Sequence, residues 1–143
     1  FIVSASPKNA RLIRTAREVN NSKPKWVLDK ITSLAASLGK PKQDTSIICY
    51  GITFKPDIDD LRESPALEIA RALAAEGFSV HVVEPNIDKL PQSLQLPNVA
   101  LRKLECNTDD NSIHVLLVKH SSFSANKGQF KNLRHVFDLV GLL

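Results

Sequence analysis

Apolar side chains recur at Leu12, Ala16, Val19, Val27, Ile31, Leu34 and Leu38, mostly three or four positions apart, the spacing that lines one face of an α-helix. The pattern predicts a long amphipathic helix from about Lys8 to Leu38. Pro24 has no N–H to donate and its ring crowds the carbonyl of Asn20. A kink or break is therefore expected around Asn20 to Lys23, with Ser22 placed to cap the second half. Gly39 falls where helices commonly end on a left-handed residue.

Beyond residue 43 the pattern shifts to short, nearly continuous apolar runs separated by polar or helical stretches. Thr45 to Tyr50, Ser79 to Val83, Val99 to Leu101, His114 to Val118 and His135 to Asp138 read as strands. Runs without alternation are expected where a sheet is covered on both faces. Pro65 to Glu76 reads as a helix, with Ala66, Leu67, Ile69, Ala70, Leu73 and Ala74 turned inward. Ser64 is its N-cap, Pro65 opens its first turn and Gly77 closes it. Strand, helix, strand at these lengths is a right-handed βαβ unit, and its continuation implies a doubly wound parallel sheet. The expected fold is α/β, a Rossmann-like sheet preceded by a long, kinked helix.

Charge divides the chain in the same place. Residues 1–42 carry nine Lys or Arg against two acids, and residues 43–143 ten against thirteen, so a +7 segment precedes a −3 segment. The border is the polar stretch Gly39 to Asp44, which contains both breakers. Arg11, Arg14 and Arg17 could form a stripe for phosphates, but no interleaved aromatics or reader motif accompany them, so a solvated face is expected and no nucleic acid partner. A lone helix has little of its own to bury against, and its apolar stripe is expected to meet another subunit. Apolar residues make up 43% and charged residues 24%, which excludes disorder and repeat classes. No apolar run is long enough to cross a bilayer, and the expectation is a soluble, cytoplasmic protein without a membrane partner. Cys49 and Cys106 show no C-x-x-C spacing and read as buried free thiols, with no metal site.

Sheets of this kind bind ligands at the carboxyl ends of their strands. The loop there runs Gly51-Ile52-Thr53-Phe54-Lys55-Pro56-Asp57-Ile58-Asp59-Asp60-Leu61-Arg62-Glu63-Ser64-Pro65 and lacks the G-x-G-x-x-G turn. Lys55 stands just beyond the strand and Arg62 just ahead of the helix. Together with the positive helix end they could cradle a diphosphate. The alternative is a solvated loop in which Asp57, Asp59 and Asp60 neutralise those cations; the residues alone leave both open. A calcium loop is excluded, because Arg62 stands where one needs Gly. Glu84 ends the second strand where a dinucleotide fold carries its ribose acid, a weak sign without the glycines. His81 and His114 read as structural, and His120 is placed for a ligand contact. No nucleophile–base arrangement is evident, so the chain reads as a binder.

The loop from Gly51 to Pro65 resembles the signature of the UDP-glucose/GDP-mannose dehydrogenase family, in particular its bacterial members that act on UDP-N-acetyl-D-mannosamine. The similarity extends to Ser6-Pro7-Lys8-Asn9-Ala10-Arg11-Leu12-Ile13-Arg14, Arg17-Glu18-Val19-Asn20 and Val83-Glu84-Pro85-Asn86. The resemblance implies that residues 1–42 end a central helical dimerisation domain and that residues 43–143 form a C-terminal UDP-sugar-binding domain. It implies a parent that oxidises a sugar C6 hydroxyl to a carboxylate with NAD, through a catalytic Cys absent from this chain, and a homodimer formed through the first helix. By position, Phe54 and Lys55 match residues that contact the UDP-sugar, and Arg62 matches the arginine that reaches the NAD pyrophosphate. Relatives also place a basic residue shortly after the aspartate ending the last strand, where this chain reads Asp138-Leu139-Val140-Gly141. The alternative is a stand-alone or degenerate nucleotide-binding module without catalysis.

Overall fold

The computed structural model describes residues 10–104 and 111–143. Helix α1 (Arg11–Ser37) leads through a 3₁₀ turn (Lys42–Asp44) into β1 (Ser46–Tyr50), α2 (Pro65–Ala75) and β2 (Ser79–Val83). There follow a 3₁₀ turn (Gln92–Leu94), β3 (Val99–Arg102), β4 (Ile113–Leu116), two short helices α3 (Ser121–Ala125) and α4 (Lys127–Phe130), and β5 (His135–Asp138). The five strands form one sheet in the order β3-β2-β1-β4-β5, every neighbouring pair parallel. The expected α/β architecture is therefore present, and the chain reverses its direction across the sheet between β1 and β4.

The alternating side chains of β1 explain why both faces are covered. Ile47 and Cys49 point into a core with Ile69, Ala70 and Leu73 of α2 and Val27, Ile31 and Ala35 of α1. Ile48 and Tyr50 point the other way, into a second core with Phe123 of α3 and Phe130 of α4. Burying a residue such as Leu73, with no exposed surface, contributes about 1.5–3 kcal/mol. Burial on both faces is why the run from Ile47 to Tyr50 in the central strand is continuous, whereas β3, at the edge of the sheet, alternates in exposure. β4 starts one residue earlier than expected and stops two earlier: its carboxyl end is drawn off the ladder as Leu117 and Val118 both donate to the Tyr50 carbonyl.

The long helix differs from expectation in two respects. It runs unbroken from Arg11 to Ser37 with Pro24 inside it, and Ser22 is no cap, since its hydroxyl donates to the Val19 carbonyl 2.7 Å away. One proline removes one intrahelical bond, and the turn before it lies exposed, where water can serve the freed carbonyl. Its apolar stripe is also divided. Val27, Ile31 and Ala35 are buried against the chain's own α2, so the second half needs no other subunit. Leu12 and Val19, by contrast, are 84% and 65% exposed. Gly39 takes the left-handed conformation (φ 68°) expected of it. No helix among the described residues is long and apolar enough to cross a membrane.

Candidate functional site

The carboxyl ends of β1 and β4 meet at the point where strand order reverses, which is where open α/β sheets form their ligand crevice. A cleft of about 270 Å³ lies there, lined by Thr53, Phe54 and Pro56 after β1, Pro65 and Ala66 opening α2, Leu117, Val118 and Lys119 after β4, and Val140 after β5. Its floor is a close backbone approach. Gly51 sits at φ 84°, and a Cβ there would come within 2.5 Å of the Val118 side chain, so glycine is required to bring the two loops together.

Ser64 joins this loop to the helix beneath it. Its buried hydroxyl donates to the Ile52 carbonyl at 2.8 Å and accepts from the Leu67 N–H at 3.2 Å, the expected N-cap. The Phe54 N–H donates to the Asp60 carbonyl at 2.8 Å, closing residues 54–60 into a compact turn that leaves the Phe54 ring 46% exposed at the cleft. Lys55 leans its ammonium over that ring, 5.6 Å from the centroid. Arg62 is held differently. Its Nε and one terminal nitrogen fork onto the two Asp60 carboxylate oxygens at 2.9 and 2.7 Å, the neutralising contact foreseen in the alternative reading of the loop. Those hydrogen bonds lower the Asp60 pKa to about 2 and raise that of Arg62. Neither Lys55 nor Arg62 lines the cleft; Phe54 does.

The loop is anchored from below by a buried polar cluster. Glu84, at the end of β2, has no exposed side-chain surface; one carboxylate oxygen accepts from the Ile52 N–H (2.8 Å) and His120 Nε2 (3.1 Å). The other accepts from the backbone and side-chain nitrogens of Asn86 at 3.0 and 3.2 Å. Burial opposes its charge, but the bonds from His120, Ile52 and Asn86 outweigh it and hold its pKa below the ordinary value. His120 Nδ1 receives the Asp57 N–H at 2.9 Å, so that nitrogen carries the lone pair and Nε2 carries the proton donated to Glu84. Asp57, at φ 61°, in turn accepts from the backbone and hydroxyl of Ser121. His120, whose place after β4 left a ligand contact open, thus orients the loop from a fully buried position, and Glu84 has no free oxygen left for a ribose.

His114 bonds the Tyr50 hydroxyl at 3.0 Å inside the second core, the structural role expected of it. His81 lies in β2, where burial and the nearby Arg102 charge lower its pKa. Cys49 is fully buried, and burial pushes its thiol up to about 12; Cys106 lies outside the described residues. Sequence reasoning missed the Glu84–His120–Asn86 cluster and Lys119. A basic residue immediately after an apolar strand, at Val118-Lys119, was the available signal for the latter.

Comparison with known proteins bears on the family and the fold. The chain is 44% identical to the UDP-N-acetyl-D-mannosamine dehydrogenase of Salmonella typhimurium over 147 residues, covering 99% of itself and 35% of that protein. It is 45% identical to the NDP-N-acetyl-D-galactosaminuronic acid dehydrogenase of Ralstonia solanacearum, covering 99% of itself and 32% of the relative. The structure of the UDP-N-acetyl-mannosamine dehydrogenase Cap5O from S. aureus superposes with a TM-score of 0.70 at 30% identity, over all of this chain and 32% of that one. The chain spans about a third of the length of the relatives it matches. Residues 48–143 match the UDP binding domain of one family, with the end of β1, all of β2 to β5 and the switch-point cleft inside the match, and the chain accordingly belongs to the UDP-glucose/GDP-mannose dehydrogenase family.

Proposed function

We propose that the switch-point cleft binds the UDP moiety of a nucleotide sugar, and that this chain is the C-terminal part of an NAD-dependent dehydrogenase that oxidises UDP-N-acetyl-D-mannosamine at C6. The observation that carries the reading is the cleft between β1 and β4, with the exposed Phe54 ring on its wall and the N-terminus of α2 opening into it. A phenylalanine left 46% exposed offers a stacking face, and a helix start favours phosphate. Phe54 and Lys55 contact the UDP-sugar in this reading. Residues 1–42 end a helical dimerisation domain, a homodimer forms through the exposed first half of α1, and the parent works in the cytoplasm.

The first turn of this sheet lacks the dinucleotide fingerprint: Gly51 is followed by Ile52 and Thr53 rather than by the further glycines with which that fold brings the dinucleotide against its backbone, and the Gly51 Cα face is filled by Val118. NAD is thus assigned to other parts of the parent. This chain's share is Arg62, which must exchange its Asp60 fork for a pyrophosphate oxygen.

Catalysis needs a thiolate, and Cys49, buried with its pKa near about 12, cannot supply one. The isolated chain is therefore expected to bind UDP in titration calorimetry and to form no NADH with UDP-N-acetyl-D-mannosamine. Absence of UDP heat at millimolar concentration with a folded sample would overturn the binding reading, and NADH formation would overturn the division of labour. A degenerate module that has lost its ligand is the reading left standing by the first result.

A further inference from the structure

We infer that Lys119 is the cation that holds the diphosphate of the nucleotide in the switch-point cleft. The inference deepens the UDP reading and rests on it. Of the residues lining the cleft, Lys119 is the one that carries a positive charge; the others are apolar apart from Thr53. It follows β4, the strand paired with β1, and lines the same cleft as Phe54 and the first two residues of α2. Arg62, the nearest cation before the start of α2 in sequence, is committed to both oxygens of Asp60, and Lys55 rests on the Phe54 ring outside the lining. Among the described residues Lys119 has no carboxylate partner. Its ammonium makes one hydrogen bond, to the Gly141 carbonyl at 2.8 Å.

An ammonium has three donors, so two remain for an incoming anion. The Gly141 bond limits the swing of a four-carbon side chain that would otherwise lose rotamer entropy on binding. It also draws the ammonium to the strip after β5, next to Val140, which offers the cleft no charge of its own. That strip is itself fixed, because Asp138 accepts from the N–H groups of Val140 and Leu143 at 3.0 and 2.8 Å. The charge thereby stands exposed at the rim of a cleft whose other lining residues are apolar apart from Thr53, open to an anion arriving from solvent.

The test is calorimetry on the full chain with UDP and with uridine, comparing wild type with Lys119→Met, Lys119→Glu and Lys119→Arg. Loss of a charge-assisted contact predicts UDP affinity weakened about tenfold or more in Lys119→Met and further in Lys119→Glu. Uridine, which has no phosphate, should bind all forms alike, and Lys119→Arg should recover most of the UDP affinity. The dependence of UDP affinity on salt should flatten in Lys119→Met. A purely structural role through the Gly141 bond would weaken uridine and UDP together, and that result overturns the inference. Equal UDP affinity in wild type and Lys119→Met overturns it as well, leaving the UDP reading intact. No UDP binding by the folded wild type removes both.

Discussion

Replacing Glu84 by Gln changes one oxygen into an NH₂ group and removes a charge, with almost no change in volume. The carboxylate receives four donors, two on each oxygen. Whichever way the amide is turned, its NH₂ faces two N–H groups that then lose their acceptor. On one side these are Ile52 N–H and His120 Nε2–H. His120 could offer a bare Nε2 by moving its proton to Nδ1, but the Asp57 N–H would then meet a donor, and the Ile52 amide cannot adapt at all. Leaving a buried donor unsatisfied costs about 1–3 kcal/mol, and the substitution leaves two N–H groups facing an NH₂. An expected loss of about 3 kcal/mol lowers Tm by roughly 10 °C in a chain of this size. Urea unfolding followed by circular dichroism measures it.

The pH dependence supplies a second readout of the same substitution. The native Glu84 pKa lies below its ordinary value of 4.5, so its stabilisation is complete above that value and is lost as pH falls through the lower native one. Asp57 and Asp138, also lowered, act in the same direction. The Glu84→Gln variant should therefore lose less stability between neutral and acid pH than wild type does. A variant within about 1 kcal/mol of wild type at neutral pH, below the cost of one unmet buried donor, would show that the cluster does not hold the loop.

Two further outcomes follow from the packing. Gly51→Ala puts a Cβ at a left-handed φ and 2.5 Å from Val118, so strain and overpacking together should cost about 2–4 kcal/mol and open the cleft, measured by unfolding and by weakened UDP binding. Cys49 should resist thiol reagents in the native state, and stability should fall as pH rises from 9.0 towards about 12. Over that range the unfolded thiol ionises and the buried one does not, with Tyr50 adding to the slope above 10.0; alkaline urea titrations of wild type and Cys49→Ala should differ accordingly.

The parts of the fold legible in the sequence are those set by local rules. Continuous apolar runs gave the buried parallel strands, Ser64 and Pro65 the start of α2, and Gly77 its end, because each depends on a few adjacent residues. The unbroken helix through Pro24 was not legible, since a single missing bond on an exposed turn costs too little to stop it. The polar cluster was hidden for a different reason: His120 lies 36 residues from Glu84 and 63 from Asp57, and only the pairing of β1 with both β2 and β4 brings them together. The expectation of a Lys55–Arg62 cradle treated the loop as open, whereas the Asx-type contacts of Asp60 draw Arg62 back onto its own chain. Lys119 was passed over because a single lysine after a strand carries no pattern until its neighbours are known.

An α-helix of 27 residues is about 40 Å long at 1.5 Å per residue. Val27, Ile31 and Ala35 bolt the second half to the sheet layer while residues 11–23 are exposed, so the element works as a rigid arm. Whatever grips its exposed turns is held at a set reach and heading from the switch-point cleft. A change of bend at Pro24 would swing that load through an arc, altering the distance between two sites without disturbing the interior of either.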